Sequence, residues 1–238
     1  MKSEKGKEQF IVEREGKTGR RVRIVAIDGP AGAGKSTVAQ RVAARLGLVY
    51  IDTGGMYRAL TLKALRAGVD LDDEGALAQL AAGSCISVQP GTGHVLLDGE
   101  DVASVIRGPA VSAAVSRVAR SRAVRDILTR RMRDLARAGG AVLEGRDTGS
   151  CVVPDADPKV FLTASLGERA RRRWQELREA GYAVSLEEVR ENLASRDEAD
   201  TRRGLAPLTV VEDAVVIDTT GLGIEDTVEA VLRLCQDG

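Results

Sequence analysis

Histidine, aromatic residues and cysteine are all scarce in this chain of 238 residues. His94 is the single histidine, aromatics make up 3% of the residues, and there are 3 cysteines. One histidine excludes a histidine-built metal centre and leaves a Ser-His-Asp hydrolase with a single candidate base. Cys85, Cys151 and Cys235 are odd in number, far apart, and show no CxxC spacing. That excludes a disulfide framework or a cysteine zinc site and points to a reducing compartment. No apolar run approaches the ~18 residues that cross a bilayer, and the N-terminus lacks the apolar stretch of a secretory signal. The expectation is a cytoplasmic protein with no membrane partner. Net charge is missing too: 35 basic residues balance 35 acidic ones, so no global field calls for a nucleic-acid partner.

What is present describes a globular chain: 43% of the residues are hydrophobic and 29% are charged. The basic residues divide into 7 Lys and 28 Arg, and four of the lysines fall in the first 21 residues. Arginine suits bidentate contacts to phosphate and carboxylate, although a general codon bias produces the same excess.

Residues 1–21 are polar and mixed in charge, with one short apolar stretch at Phe10-Ile11-Val12, and read as a flexible tail. The body starts at Val22. VRIVAID (22–28) is a β-branched apolar run expected to be a buried strand. Val38, Val42 and Leu46 then recur at helical spacing up to Gly47. VYID (49–52) reads as a second strand, and helices are expected over 55–67 and 72–82. CISVQ (85–89) and HVLLD (94–98) read as a hairpin turned by Pro90-Gly91-Thr92-Gly93, with another turn at Asp98-Gly99. Residues 109–137 are helical and arginine-rich. AVLEG (141–145), VFLTA (160–164) and AVVID (214–218) read as strands. Helices are expected over 166–180, from a Ser185/Glu188 capping box to about Asp200, and over 224–236. Strands alternating with helices predict an α/β fold with a parallel sheet covered on both faces. The stretch 69–105 interrupts the alternation and reads as an insertion.

Gly29-Pro30-Ala31-Gly32-Ala33-Gly34-Lys35-Ser36 matches GxxxxGK[ST], with Thr37 after it, and lies between a strand and a helix. Glycines let the loop turn its N–H groups inward onto anionic oxygens, and the helix N-terminus adds positive potential. Lys35 can reach the outer phosphates, and the Ser36 hydroxyl can ligate Mg²⁺. The motif therefore implies ATP or a similar triphosphate. A guanine-reading NKxD segment is absent, since Asn192 is the only asparagine.

Four further segments carry more polar groups than their positions require. Asp52-Thr53-Gly54-Gly55-Met56-Tyr57-Arg58 ends the second strand, where a ligand crevice and a helix cap are both sensible. Glu144-Gly145-Arg146-Asp147 ends the strand 141–145, with Glu144 where a carboxylate near Mg²⁺ is common and Arg146-Asp147 also readable as a structural ion pair. Ser116 and Arg125 lie nine residues apart, on opposite sides of a straight helix at about 100° per residue. They share a site only if the helix breaks, and Ser121 is a suitable cap for a second one. Otherwise they belong to a solvated arginine-rich face. Arg196, Asp200 and Arg203 fall on one face of a continuing helix, where a surface ion pair is the plainer explanation. Arg169, Arg172 and Arg173 cluster on the helix before it.

Together GPAGAGKST, IDTGGMYRAL, LLDGEDVASVIR, VSAAVSRVARSRAVRDIL, LEGRDTGS, LGERARRR and SRDEADTRRGLAPL resemble the bacterial cytidylate kinase family, nucleoside monophosphate kinases of the P-loop fold. The resemblance runs from about Val22 to the C-terminal helix. Thr53 stands where many members carry Ser, and GSCVVP differs modestly from the usual GTVVFP; neither change removes a needed polar group. The resemblance implies a five-stranded parallel sheet, a monophosphate-binding insertion at about 69–105 and a mobile lid at about 167–205. It implies that Ser116, Arg125 and Asp147 face cytosine, that Arg58, Arg146, Arg196 and Arg203 face phosphates, and that Asp200 faces the ribose. Thr53 and Tyr57 join the substrate side, Arg169 and Arg173 the ATP side, and Ser36 with Glu144 the Mg²⁺, directly or through water. The implied reaction is ATP + CMP giving ADP + CDP, with dCMP a further substrate, carried out by a monomer. Two alternatives stand beside it. One is a related kinase acting on UMP or AMP; the other is a P-loop ATPase binding nucleic acid through 117–137, where eight Arg are mixed with Asp126 and Asp134.

Overall fold

Short apolar strands set the architecture, and the two at its centre, Ile24–Asp28 and Ala141–Gly145, are buried on both faces. The computed structural model describes residues 23–89 and 91–236, so the expected tail at 1–21 and Pro90 of the hairpin turn lie outside the described residues. Strand β1 (Ile24–Asp28) leads to helix α1 (Lys35–Leu46), and β2 (Val49–Asp52) to α2 (Thr53–Arg66). Helix α3 (Glu74–Ala82) precedes β3 (Ile86–Val88), β4 (Val95–Leu97) and β5 (Glu100–Asp101). Helices α4 (Pro109–Val118) and α5 (Arg122–Gly139) bring the chain to β6 (Ala141–Gly145). It ends with β7 (Lys159–Thr163), α6 (Leu166–Glu179), α7 (Leu186–Arg202), β8 (Ala214–Asp218) and α8 (Ile224–Leu234).

The main sheet has the order β2-β6-β1-β7-β8, and every neighbouring pair is parallel. Alternation along the strands feeds two cores. Val25, Ile27 and Val142 pack with Val38 and Val42 of α1 and Val228 and Val231 of α8. Ile24, Ala26, Ala141 and Leu143 pack with Leu60 of α2 and Leu128 and Met132 of α5. Helices therefore cover both faces. The register sets Asp52 and Ile27 opposite Glu144, and Gly145 opposite Asp28, so three carboxylates collect at the carboxyl ends of adjacent strands. That edge is where an open parallel sheet offers its crevice.

The expected hairpin is present but shorter, and it gains a third strand in β5, making a small antiparallel sheet. Its Ile86, Val95 and Leu97 share a core with α2 and α5, so this small sheet is welded to the body rather than built around a centre of its own. The helical region 109–137 does break: Ser121 caps α5 by accepting the Val124 N–H. Helices α6 and α7 have a small core of their own, Ala170, Val189 and Leu193, which also takes in Ala31 of the β1–α1 turn. Trp174 packs against this core and donates to the Val184 carbonyl at 3.0 Å. No helix among the described residues is long and apolar enough to cross a membrane.

Candidate active site

Glycine geometry shapes the turn between β1 and α1. Gly34 precedes α1 with φ 85°. Gly29 has φ 147°, and a Cβ there would lie 1.9 Å from the Leu162 carbonyl oxygen, a position no side chain tolerates. Lys35 opens α1, is 5% exposed, and donates from Nζ to the Pro30 carbonyl at 2.7 Å. Burial and the nearby Arg146 guanidinium depress its ammonium to about 7, although Glu144 and Asp28 pull the other way.

The strand-end carboxylates do different things. Asp28 accepts from the Thr148 and Gly149 amides at 2.9 and 2.7 Å, so it fixes the backbone that follows Asp147; burial nevertheless raises its pKa. Asp52 caps α2 through the Gly55 N–H at 2.7 Å and pairs with Arg107 at 3.2 Å. Burial and the charge of Glu144 raise the Asp52 pKa. Glu144 takes the Ser36 hydroxyl at 2.6 Å and the Tyr50 phenol at 3.0 Å, both on Oε1, while Thr53 donates to its backbone carbonyl at 2.7 Å.

The helix break brings Ser116 and Arg125 to one cavity. Arg125 and Asp147, each 7% exposed, form an ion pair there. The Arg125 guanidinium also donates to the Ala119 carbonyl at 3.3 Å and lies 5.6 Å from the Tyr57 ring centre. Arg203 is 3.6 Å from Asp147 and 3.9 Å from Asp200. Contrary to the helical-face expectation, α7 stops at Arg202 and Arg203 is already extended, with φ −60° and ψ 127°. Its guanidinium turns back onto the carbonyls of Leu205, at 2.7 Å, and Ala206. The grouping with Asp200 thus survives through a tight turn rather than a helix face.

Cations crowd between the two ends. Arg146 reaches Asp200 at 2.9 Å. Arg58 donates to the Ile106 carbonyl at 3.2 Å and the Ser112 hydroxyl at 2.9 Å, and burial together with Arg196 holds it down at about 9. Arg196 is pushed down to about 10 by burial and Arg146, and its buried Nε has no partner among the described residues. Arg146 has Asp200 beside it, but Arg58 and Arg196 have no carboxylate within ion-pair distance among the described residues, and buried cations so placed make a receptor for anions.

One cavity of about 660 Å³ connects these groups. Ala31, Gly32 and Gly34 through Thr37 line one end, and Ser116, Arg125 and Asp147 the other. Thr53, Tyr57, Arg58, Glu144 and Arg146 lie along it, with Arg173 from α6, Arg196 and Asp200 from α7, and Arg203 from the turn that follows. Gly29, Pro30 and Ala33 shape the loop without lining the cavity. Arg169, expected on the ATP side, is also outside the lining. It is buried, donates to the Ala164 and Ala31 carbonyls at 2.9 and 3.0 Å, and pairs with Asp197 at 2.5 Å. It ties α6 and α7 to the glycine-rich turn.

Sequence reasoning passed over Tyr50, Asp28 and Arg107. Tyr50 has the look of a core residue in a short strand, and Asp28 that of a strand end. Arg107 stood in a matched segment with no role given to it. Its signal was its place immediately before α4, one residue ahead of Gly108-Pro109, where a chain turning into a helix points back at the crevice.

A family model described as cytidylate kinase matches residues 25–237. The chain is 52% identical over 221 residues to a cytidylate kinase of Symbiobacterium thermophilum, covering 92% of this chain and 98% of that one. It is 50% identical over 215 residues to a cytidylate kinase of Geobacillus kaustophilus, covering 90% and 96%. Among solved structures, a protein of Eubacterium ventriosum superimposes with a TM-score of 0.51 at 11% identity, covering 92% of this chain and 100% of that one, a likeness of fold alone.

Proposed function

Because the chain belongs to the cytidylate kinase family, we propose that it transfers the γ-phosphoryl group of ATP to the phosphate of CMP, giving ADP and CDP, and takes dCMP as well. The observation that carries this reading is the buried Arg125–Asp147 pair at one end of a cavity whose other end is the phosphate loop. Cytosine shows an amino group at N4 beside the N3 and O2 acceptors. Asp147 accepts from N4, as carboxylates do for this base in nucleic acids, while Arg125 and Ser116 donate to N3 and O2. Uracil would set its O4 acceptor against the same carboxylate, a buried mismatch costing about 1–3 kcal/mol.

The acceptor is a phosphate oxygen already ionised near neutral pH, so no base is required. His94 fits that picture: it is exposed and pairs with Asp101 at 2.8 Å on the small sheet. Lys35 and the loop amides hold the donor phosphates. Arg58, Arg146, Arg196 and Arg203 hold the acceptor phosphate and the charge that spreads over the moving group. In the free site these cations repel one another, so binding two phosphate groups relieves the strain and aligns donor with acceptor. Asp200 faces the ribose hydroxyls. Arg173 donates to the Arg107 carbonyl at 3.3 Å, which lets α6 close against the segment just after the insertion and exclude water. In this reading 69–105 is the monophosphate-binding insertion and 167–205 the lid.

Magnesium suits the donors at the loop. Ser36 and Glu144 are hard oxygen ligands 2.6 Å apart, and no group of three or more His, Cys, Asp or Glu among the described residues could cage a metal. Such a sparse site fits an ion that keeps waters and shares substrate phosphates. Ser36 and Glu144 would hold it, directly or through water, and when bound it supplies charge neutralisation at the phosphate oxygens.

The test is an ADP-release assay with CMP, dCMP, UMP and AMP. CMP should exceed UMP in kcat/KM by roughly 5- to 150-fold, the range of 1–3 kcal/mol. A preference for UMP or AMP overturns the reading.

A further inference from the structure

Glu144 receives two hydroxyl donors on a single oxygen. Ser36 donates to Oε1 at 2.6 Å and Tyr50 to the same atom at 3.0 Å, while Oε2 has no protein donor among the described residues. If Ser36 turns toward a metal–phosphate group, Tyr50 is the donor that stays behind. Tyr50 is 7% exposed, so its hydroxyl is largely shut off from water and the Glu144 carboxylate is the acceptor it reaches.

The other edge of the Tyr50 ring meets the insertion. Gly93, in the turn between β3 and β4, has φ 71°, and a Cβ there would lie 2.3 Å from Tyr50 Cδ1. The ring body packs in the core with Val42 and Val142. Tyr50 thus spans from the insertion's turn, past the sheet edge, to the carboxylate beside the phosphate loop. A purely space-filling ring would need neither the hydroxyl contact nor a side-chain-free neighbour.

We propose that Tyr50 is a positioning residue for the metal side of the site. It pins Glu144 by one oxygen, leaves the second available to the magnesium–phosphate group, and relays the position of the insertion's turn to that carboxylate. The inference rests on the reading of Glu144 as a magnesium-side group. Groups that orient a metal-side carboxylate typically contribute 10- to 100-fold to metal affinity.

The experiment is titration calorimetry of ADP on the full chain, once with saturating magnesium and once in EDTA. The ratio of the two affinities measures what the metal adds. Tyr50→Phe should lower that ratio about tenfold while leaving binding in EDTA unchanged within about twofold. Gly93→Ala presses on the ring from the insertion and should lower the ratio in the same direction, with the Tyr50 hydroxyl retained. Glu144→Gln is the reference. If it lowers the ratio and Tyr50→Phe does not, Tyr50 is a core residue and the inference fails. The inference also fails if Tyr50→Phe weakens both conditions equally. A wild-type ratio in Gly93→Ala removes the relay. A wild-type ratio in Glu144→Gln instead overturns the magnesium reading of Glu144 itself.

Discussion

Asp147→Asn separates base recognition from everything else in the site. The substitution keeps shape and burial but replaces one acceptor oxygen with an N–H donor. In the wild type the carboxylate is 7% exposed and faces two guanidinium groups, Arg125 and Arg203. A charge-assisted hydrogen bond from cytosine N4 to it is worth about 1.5–3 kcal/mol, so kcat/KM for CMP should fall roughly 10- to 150-fold. UMP should lose far less, because the new amide can donate to uracil O4. The CMP-to-UMP ratio should therefore fall by roughly 5- to 150-fold, matching the removal of a mismatch of about 1–3 kcal/mol. The KM for ATP should stay within about threefold, since the phosphate loop lines the opposite end of the cavity. Breaking a buried ion pair costs up to about 3–5 kcal/mol, so thermal unfolding must first show that the variant is folded. The assay is coupled ADP release with each monophosphate varied at saturating ATP, then the reverse. An unchanged CMP-to-UMP ratio, or an ATP KM that rises as much as the CMP KM, refutes the placement of Asp147 against the base.

Other expectations follow from the same geometry. Lys35 sits at about 7 in the free protein, far below its unfolded value, so the unfolded chain binds the extra proton above that point and the stability this group contributes rises as pH increases from about 7 toward the ordinary lysine range. Bound phosphates restore its charge, so ATP binding near pH 8 should take up a proton, read by calorimetry in buffers of different ionisation enthalpy; uptake that persists in Lys35→Met contradicts this. Arg196→Met removes a cation with an unpartnered buried Nε and should stabilise the free protein by about 1 kcal/mol, or about 2–4 °C in Tm, while lowering kcat about 100- to 1,000-fold. A lower Tm with retained kcat is the opposite result. Ser121→Ala removes the α5 cap and should cost about 1 kcal/mol and raise KM for CMP but not for ATP, because the break at Ser121 is what aims Arg125. Equal effects on both substrates contradict it.

The elements most legible in the sequence were those whose signals are local. AVLEG and AVVID coincide with β6 and β8, and the capping box at Ser185/Glu188 opens α7. The break between α4 and α5 was legible because Ser121 can satisfy an N–H that only a new helix exposes. Strand β5 was not, since Glu100-Asp101 is two acidic residues long and exists only by pairing with β4. Arg203 was assigned to a helix face because periodicity cannot see the turn in which it meets the Leu205 and Ala206 carbonyls. Arg169 was grouped with its neighbours on charge, whereas burial against Ala31 and Asp197 separates it from Arg173. The roles of Tyr50 and Asp28 depend on partners 94 and 120 residues away in the chain, contacts that no short window contains.

The most direct measurement is a crystal structure with CMP and a non-hydrolysable ATP analogue bound together. The account predicts the cytosine amino nitrogen within about 3.2 Å of the Asp147 carboxylate, Arg125 on the neighbouring ring acceptors, and the two phosphate chains meeting among Lys35, Arg146 and Arg196. A base bound away from Asp147, or a phosphate lodged beside it in place of the base, contradicts the account.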